Sequence, residues 1–154
     1  MTGRFRQVFL SAIAFGVIAS VSPVRAEDPK PRQENAKMIE GKWSIDKAEL
    51  AGQPFPAEVA KTMTLILEKD KYTLKSPGPD DIGTLTIDPA KTPKQMDIKG
   101  VQGPNQGKTF LAIYELDGDS LKICYDLAGK TRPVEFKTAA GTTQFLVVYK
   151  RVKE

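Results

Sequence analysis

From Gly41 onward, apolar and polar residues alternate with a period of two, in short runs broken by turn-forming residues. Successive side chains of a strand point to opposite faces, so this alternation predicts strands with one dry and one wet side. Nine are predicted: Lys42–Leu50, Thr62–Glu68, Lys71–Lys75, Ile82–Asp88, Lys94–Lys99, Thr109–Leu116, Ser120–Asp126, Pro133–Thr138 and Thr142–Arg151. Hairpin turns are expected at Asp70-Lys71, at Asp117-Gly118 and over Thr138–Gly141, the Asp-Gly pair because both of its residues tolerate the positive φ of a two-residue loop. Parity puts Trp43, Leu65, Leu67, Tyr72, Leu74, Leu85, Met96, Tyr114, Leu121, Tyr125, Val134, Phe136, Phe145 and Tyr149 on the inner face, and Lys42, Thr64, Thr73, Asp97, Lys122 and Lys150 on the outer. One wet and one dry face is the antiparallel pattern. A meander of this kind hides its edges most simply by closing, so the fold class is all-β: an antiparallel up-and-down barrel of about eight strands.

Ahead of the strands, Gln33 to Glu40 has helical character, with Met38 and Ile39 placed to cover a barrel opening. A second short helix is expected between Pro54 and Lys61, with Pro56 at its start. Glu27 to Arg32 carries two prolines and mixed charges, the composition of a tether. Before it, Arg4 and Arg6 precede an apolar run from Val8 to Val21, ended by Pro23 and followed by Val24-Arg25-Ala26. This is the order of a cleaved secretory signal, and the run is shorter than the roughly 20 residues of a membrane span. Phe5 separates the two arginines, and Ala26 stands where a lipoprotein needs cysteine. The chain therefore divides into a signal at 1–26, a flexible linker at 27–38 and a barrel domain at 39–154. It is expected to be exported, periplasmic or extracellular, with no anchor after cleavage.

Charge adds little. Taking Arg4, Arg6 and Arg25 from the 23 basic residues leaves 20 against 19 acidic, a net charge of +1 for the processed chain. Lysines alternate with acids along most strands, without the basic face of a nucleic-acid binder. Histidine is absent from the sequence, which removes serine–histidine and cysteine–histidine nucleophiles, histidine bases and histidine-ligated metals. One cysteine, Cys124, can neither form an internal disulfide nor hold an iron–sulfur cluster. It shares a parity with Lys122 and Asp126, so partial exposure is expected. No catalysis, cofactor or metal is expected.

Two motifs imitate known chemistry. Gly103-Pro-Asn-Gln-Gly107-Lys108-Thr109 has three residues between its glycines where a phosphate loop needs four, and it precedes a strand rather than a helix. It reads as a turn-shaping loop. Asp80-Asp81 and Asp117-x-Asp119 suggest oxygen ligands for calcium, but neither fits a calcium-binding loop.

Gly41-Lys42-Trp43 opening the first strand, with Arg151 ending the last, resembles the lipocalin signature. The resemblance implies a tryptophan at the closed end of an eight-stranded barrel with a basic side chain over its ring, a contact worth about 0.5–2 kcal/mol. A longer series, through Gly52-Gln53-Pro54-Phe55-Pro56, Asp70-Lys71-Tyr72, Gly103 to Lys108, Ile113 to Asp119, Leu121 to Tyr125 and Arg132 to Phe136, is similar to the small lipocalin-like domain family expanded in planctomycete bacteria, whose function is unassigned. Nine antiparallel strands would put Trp43 and Arg151 at opposite ends, so this pairing needs one strand fewer. The short Lys94–Lys99 segment is the expected surplus.

A barrel is a container, so the expected function is non-catalytic binding of a small, largely apolar molecule or a surface partner, by a monomer. Tyr72, Tyr114, Tyr125 and Phe136 are the candidate ligand contacts, since inward tyrosines line a space and offer a polar group. The alternative is an interaction module with a solid core, and the many bulky inward residues are expected to fill most of the interior. An enzyme would need a pair of carboxylates at the barrel mouth, and no predicted inward strand position supplies one.

Overall fold

The computed structural model describes residues 29–153. The expected signal at 1–26 and the first two residues of the expected linker lie outside them. The elements run α1 (Pro29–Ile39), β1 (Gly41–Leu50), β2 (Gln53–Pro54), α2 (Ala57–Ala60), β3 (Thr64–Glu68), β4 (Lys71–Lys75), β5 (Asp81–Asp88), β6 (Lys94–Gln102), β7 (Thr109–Asp117), β8 (Ser120–Asp126) and β9 (Gln144–Arg151). Strands β3 to β9 pair antiparallel with their neighbours in sequence order, β1 pairs with β3, and β9 returns to β1. The result is a closed antiparallel barrel of eight strands, with β2 a two-residue arm on the edge of β1. Closure leaves no open edge along the wall.

The count of eight is the one expected, but the strand to be dropped from the nine is a different one. Lys94–Lys99, expected to be surplus, belongs to a full wall strand, β6. Pro133–Thr138 is instead irregular chain within the β8–β9 connection. Proline cannot donate to a ladder, and Arg132 pins the start of the segment against the wall through Met96 O (3.1 Å), Ala112 O (2.8 Å) and Asp97 Oδ1 (2.5 Å). The connection forms a strap across the outside of the barrel. Beneath it Ile113 and Cys124, cross-strand partners on the outer parity, are buried. Cys124 is therefore 0% exposed rather than partly exposed, with its Sγ 3.6 Å from Lys137 O. Burial pushes its thiol up to about 11, against the smaller effect of that bond. Val134, expected inward, is 79% exposed.

Residues 29–38, expected within a flexible linker, form most of α1. Ile39 at its end is buried in the barrel core and Ala36 packs on it, while Met38 faces outward. The two-residue hairpin loops fall one position from their expected places, at Lys69-Asp70 and Gly118-Asp119. The inner row of Trp43, Leu65, Leu67, Leu85, Ile87, Met96, Ile98, Leu121, Ile123 and Val147 makes one continuous core. At about 25 cal/mol per Å² of apolar surface removed from water, this row is the main term holding the barrel together.

Candidate functional site

One end of the barrel is sealed. Trp43 is 0% exposed, and its Nε1 donates to Ile39 O at 2.9 Å, which ties the indole to the end of α1. The Arg151 guanidinium lies 4.2 Å from the ring centroid, as the lipocalin resemblance implies. It donates further to Glu40 O (2.6 Å) and Met38 O (2.8 Å), satisfying carbonyls left free at the helix end. Gly41 takes φ 130° here, a conformation that other residues rarely adopt, and a Cβ would stand 2.8 Å from Arg151 Nη1. Tyr114 is buried toward this end, with Lys94 Nζ 6.0 Å from its ring and Lys94 held in turn by Asn35 of α1. Its hydroxyl has no hydrogen-bond partner among the described residues. Burial, with the nearby charge of Asp88, raises this phenol to about 12.

The other end holds a cavity of about 350 Å³. The expectation of a mostly filled interior does not hold at this end. Leu65, Leu67, Leu74, Leu85, Met96, Ile98, Phe110, Ile123 and Phe145 give it an apolar wall, and Met63, Leu127, Asn105 and Lys108 also contribute to its lining. Phe145 is braced by Phe55 of the β2–α2 arm (centroids 5.3 Å apart) and by Tyr125 (6.1 Å). The polar groups of the lining are few and connected. Tyr125 and Tyr149 meet hydroxyl to hydroxyl at 3.2 Å. Tyr72 Oη donates to Asp81 Oδ2 (3.2 Å), which also accepts from Asn105 Nδ2 (2.7 Å), while Asp81 Oδ1 accepts from Asn105 N (3.2 Å). Burial, then the neighbouring Tyr149 and Tyr72, hold the Tyr125 phenol well above its ordinary value; burial raises Tyr149 to about 12, and burial with Asp81 raises Tyr72 further.

Local sequence explains this arrangement. Tyr72 pairs across the β4–β5 ladder with Gly83, and a Cβ at Gly83 would lie 2.5 Å from the tyrosine ring and 2.0 Å from Lys99 O. The bare glycine lets the ring lie against β5, where its hydroxyl reaches Asp81. The loop after β6 folds back so that Gly100 N reaches Lys108 O (2.9 Å), carrying Asn105 and Lys108 to the cavity. The glycine-rich motif read as a plain turn is thus part of the cavity lining.

Of the four candidate ligand contacts, Tyr72 and Tyr125 line the cavity and Tyr114 and Phe136 do not. Phe136 lies on the strap, with Lys122 Nζ 5.1 Å from its ring. The principal omission is Asp81, 5% exposed and inward on β5. The predicted strand began one residue later, at Ile82; extended by one, its parity places Asp81 with Leu85 and Ile87. Asp81 thus adds a single inward carboxylate to the positions that parity assigned. Among the described residues, no group of three or more acidic or cysteine side chains is placed to hold a metal.

The closed eight-stranded antiparallel barrel is consistent with a lipocalin-like fold. Compared with known proteins, the chain matches no family model, no curated protein and no solved structure.

Proposed function

We propose that this protein is an exported, non-catalytic binding protein of lipocalin-like type that holds a small, largely apolar molecule in its barrel. The observation that carries the reading is the cavity of about 350 Å³, walled by aliphatic and aromatic side chains with a few connected polar groups. Ligand sites have this composition and usually exceed about 300 Å³. The same observation weighs against the solid interaction module. The absence of histidine favours binding over catalysis. The order of Arg4, Arg6, the apolar run and Ala26 supports export, and the motif series from Gly41-Lys42-Trp43 to Phe136 supports kinship with the planctomycete lipocalin-like domains.

The test is titration with a neutral, environment-sensitive apolar dye such as prodan. Saturable binding near one equivalent, weakened by Tyr125→Ala, is expected. A linear, unsaturable response would return the reading to an interaction module, with the loops at 76–81 and 100–108 as the surfaces to examine.

A further inference from the structure

The container reading says nothing of which apolar molecules are held, and the polar groups of the cavity narrow the choice. Asp81 is almost wholly buried, yet its three donors, Tyr72 Oη, Asn105 N and Asn105 Nδ2, are all neutral. Among the described residues no lysine or arginine forms an ion pair with it. A buried carboxylate normally has a counter-charge, because its desolvation is otherwise uncompensated. A carboxylate also offers about four acceptor positions, so one remains after these three bonds. Across the same interior, the Tyr125–Tyr149 contact uses one of two phenolic protons, and either hydroxyl can be the donor. A hydroxyl oxygen beside the cavity therefore keeps acceptor capacity, while the other proton is free to be donated.

Resting on the container reading, we propose that the cavity selects a small apolar molecule bearing a protonated amine, with the ammonium hydrogen-bonded to Asp81. Alkylammonium groups stay protonated to about pH 10, as lysine does, so the cation is present at neutral pH. It supplies the missing counter-charge, and its other N–H groups are free for a phenolic oxygen or water. An alcohol offers Asp81 only a neutral donor, and a charge-assisted bond is roughly twice as strong. A fatty carboxylate would set a second negative charge near the first. Among the described residues Lys108 is the one cation in the lining, but it is exposed, where water screens it. At the ~30 Å³ of one water in the liquid, the cavity takes on the order of ten non-hydrogen atoms, the size of an eight-carbon chain with one head group.

The experiment is calorimetric titration of the full processed chain with octylamine, octanol and octanoate, which share a tail and differ in head-group charge. Octylamine should bind about tenfold more tightly than octanol, and octanoate most weakly. Asp81→Asn should remove the preference for octylamine over octanol. Tyr72→Phe, which leaves the carboxylate in place, should keep it. Should Asp81→Asn fail to fold, the wild-type ranking and Tyr72→Phe decide alone. Equal affinities for amine and alcohol would overturn the proposal while leaving the container intact. Preference for octanoate, lost in Lys108→Ala, would overturn it in favour of an anion site at the mouth. Failure of prodan and of all three ligands to saturate would remove the container reading, and this proposal with it.

Discussion

At the closed end Trp43 is held on two sides: Ile39 O takes the indole N–H, Arg151 covers the ring, and Arg151 is itself tied to Met38, Glu40 and Asp119. At the cavity end the same alternating strands face open space, and the polar side chains bond to one another rather than to a closing element. One barrel therefore carries a well-determined floor at one end and an open cavity at the other. Rigidity at one end permits a cavity at the other, because the wall strands are registered by their own ladders.

The largest expected effect comes from breaking the floor. Trp43→Ala should cost roughly 3–5 kcal/mol in urea unfolding, since it removes a fully buried aromatic and leaves Arg151 without its ring. Prodan affinity of the remaining folded protein should change little, because Trp43 is absent from the cavity lining. A large loss of affinity in the folded fraction would mean that the two ends are coupled, and the contrast would fail.

Alkaline titration probes both ends together. Tyr114 at the floor and Tyr149 at the cavity are raised from 10.0 to about 12, chiefly by burial. Below pH 10 folded and unfolded chains both keep these protons, and stability is unaffected by them. Between 10 and 12 the unfolded chain releases them while the folded chain holds them, so stability falls with pH, by about 1.4 kcal/mol per tyrosine per pH unit. Urea midpoints measured across that window should show the decline. Tyr114→Phe should make it shallower by about one tyrosine's share, and an unchanged slope would show that the floor tyrosine is not protected.

The floor was more legible in the sequence than the cavity, for a physical reason. Trp43 and Arg151 lie near the two ends of the barrel domain, and closure of an even-stranded meander must bring them together. Period-two parity likewise placed most of the inner row. Asp81 was legible in principle, since its parity matches Leu85 and Ile87, but an acidic residue beside Pro79-Asp80 reads as a turn. The strap misled because Pro133 to Thr138 alternates like a strand. Its true signal was on the wall it covers, where Ile113, Cys124, Leu146 and Val148 make the outer parity unexpectedly apolar. Cavity volume was not legible at all. It depends on how rings such as Tyr72 lie against Gly83, which spacing along the chain does not express.

The finest test makes the same chemical change at each end. Tyr72→Phe removes a hydroxyl that donates to Asp81 and should cost about 0.5–1.5 kcal/mol. Tyr114→Phe removes one that is buried without a partner among the described residues. Such a hydroxyl has lost its water and gained nothing, so its removal should be neutral or stabilising, by up to about 1 kcal/mol at neutral pH. The ring itself stays, with its packing and its contact to Lys94 unchanged. Opposite signs in two otherwise matched urea experiments would assign the used polar group to the cavity and the unused one to the floor. Equal destabilisation would show that Tyr114 is satisfied in solution after all, and the floor would then be as polar as the mouth.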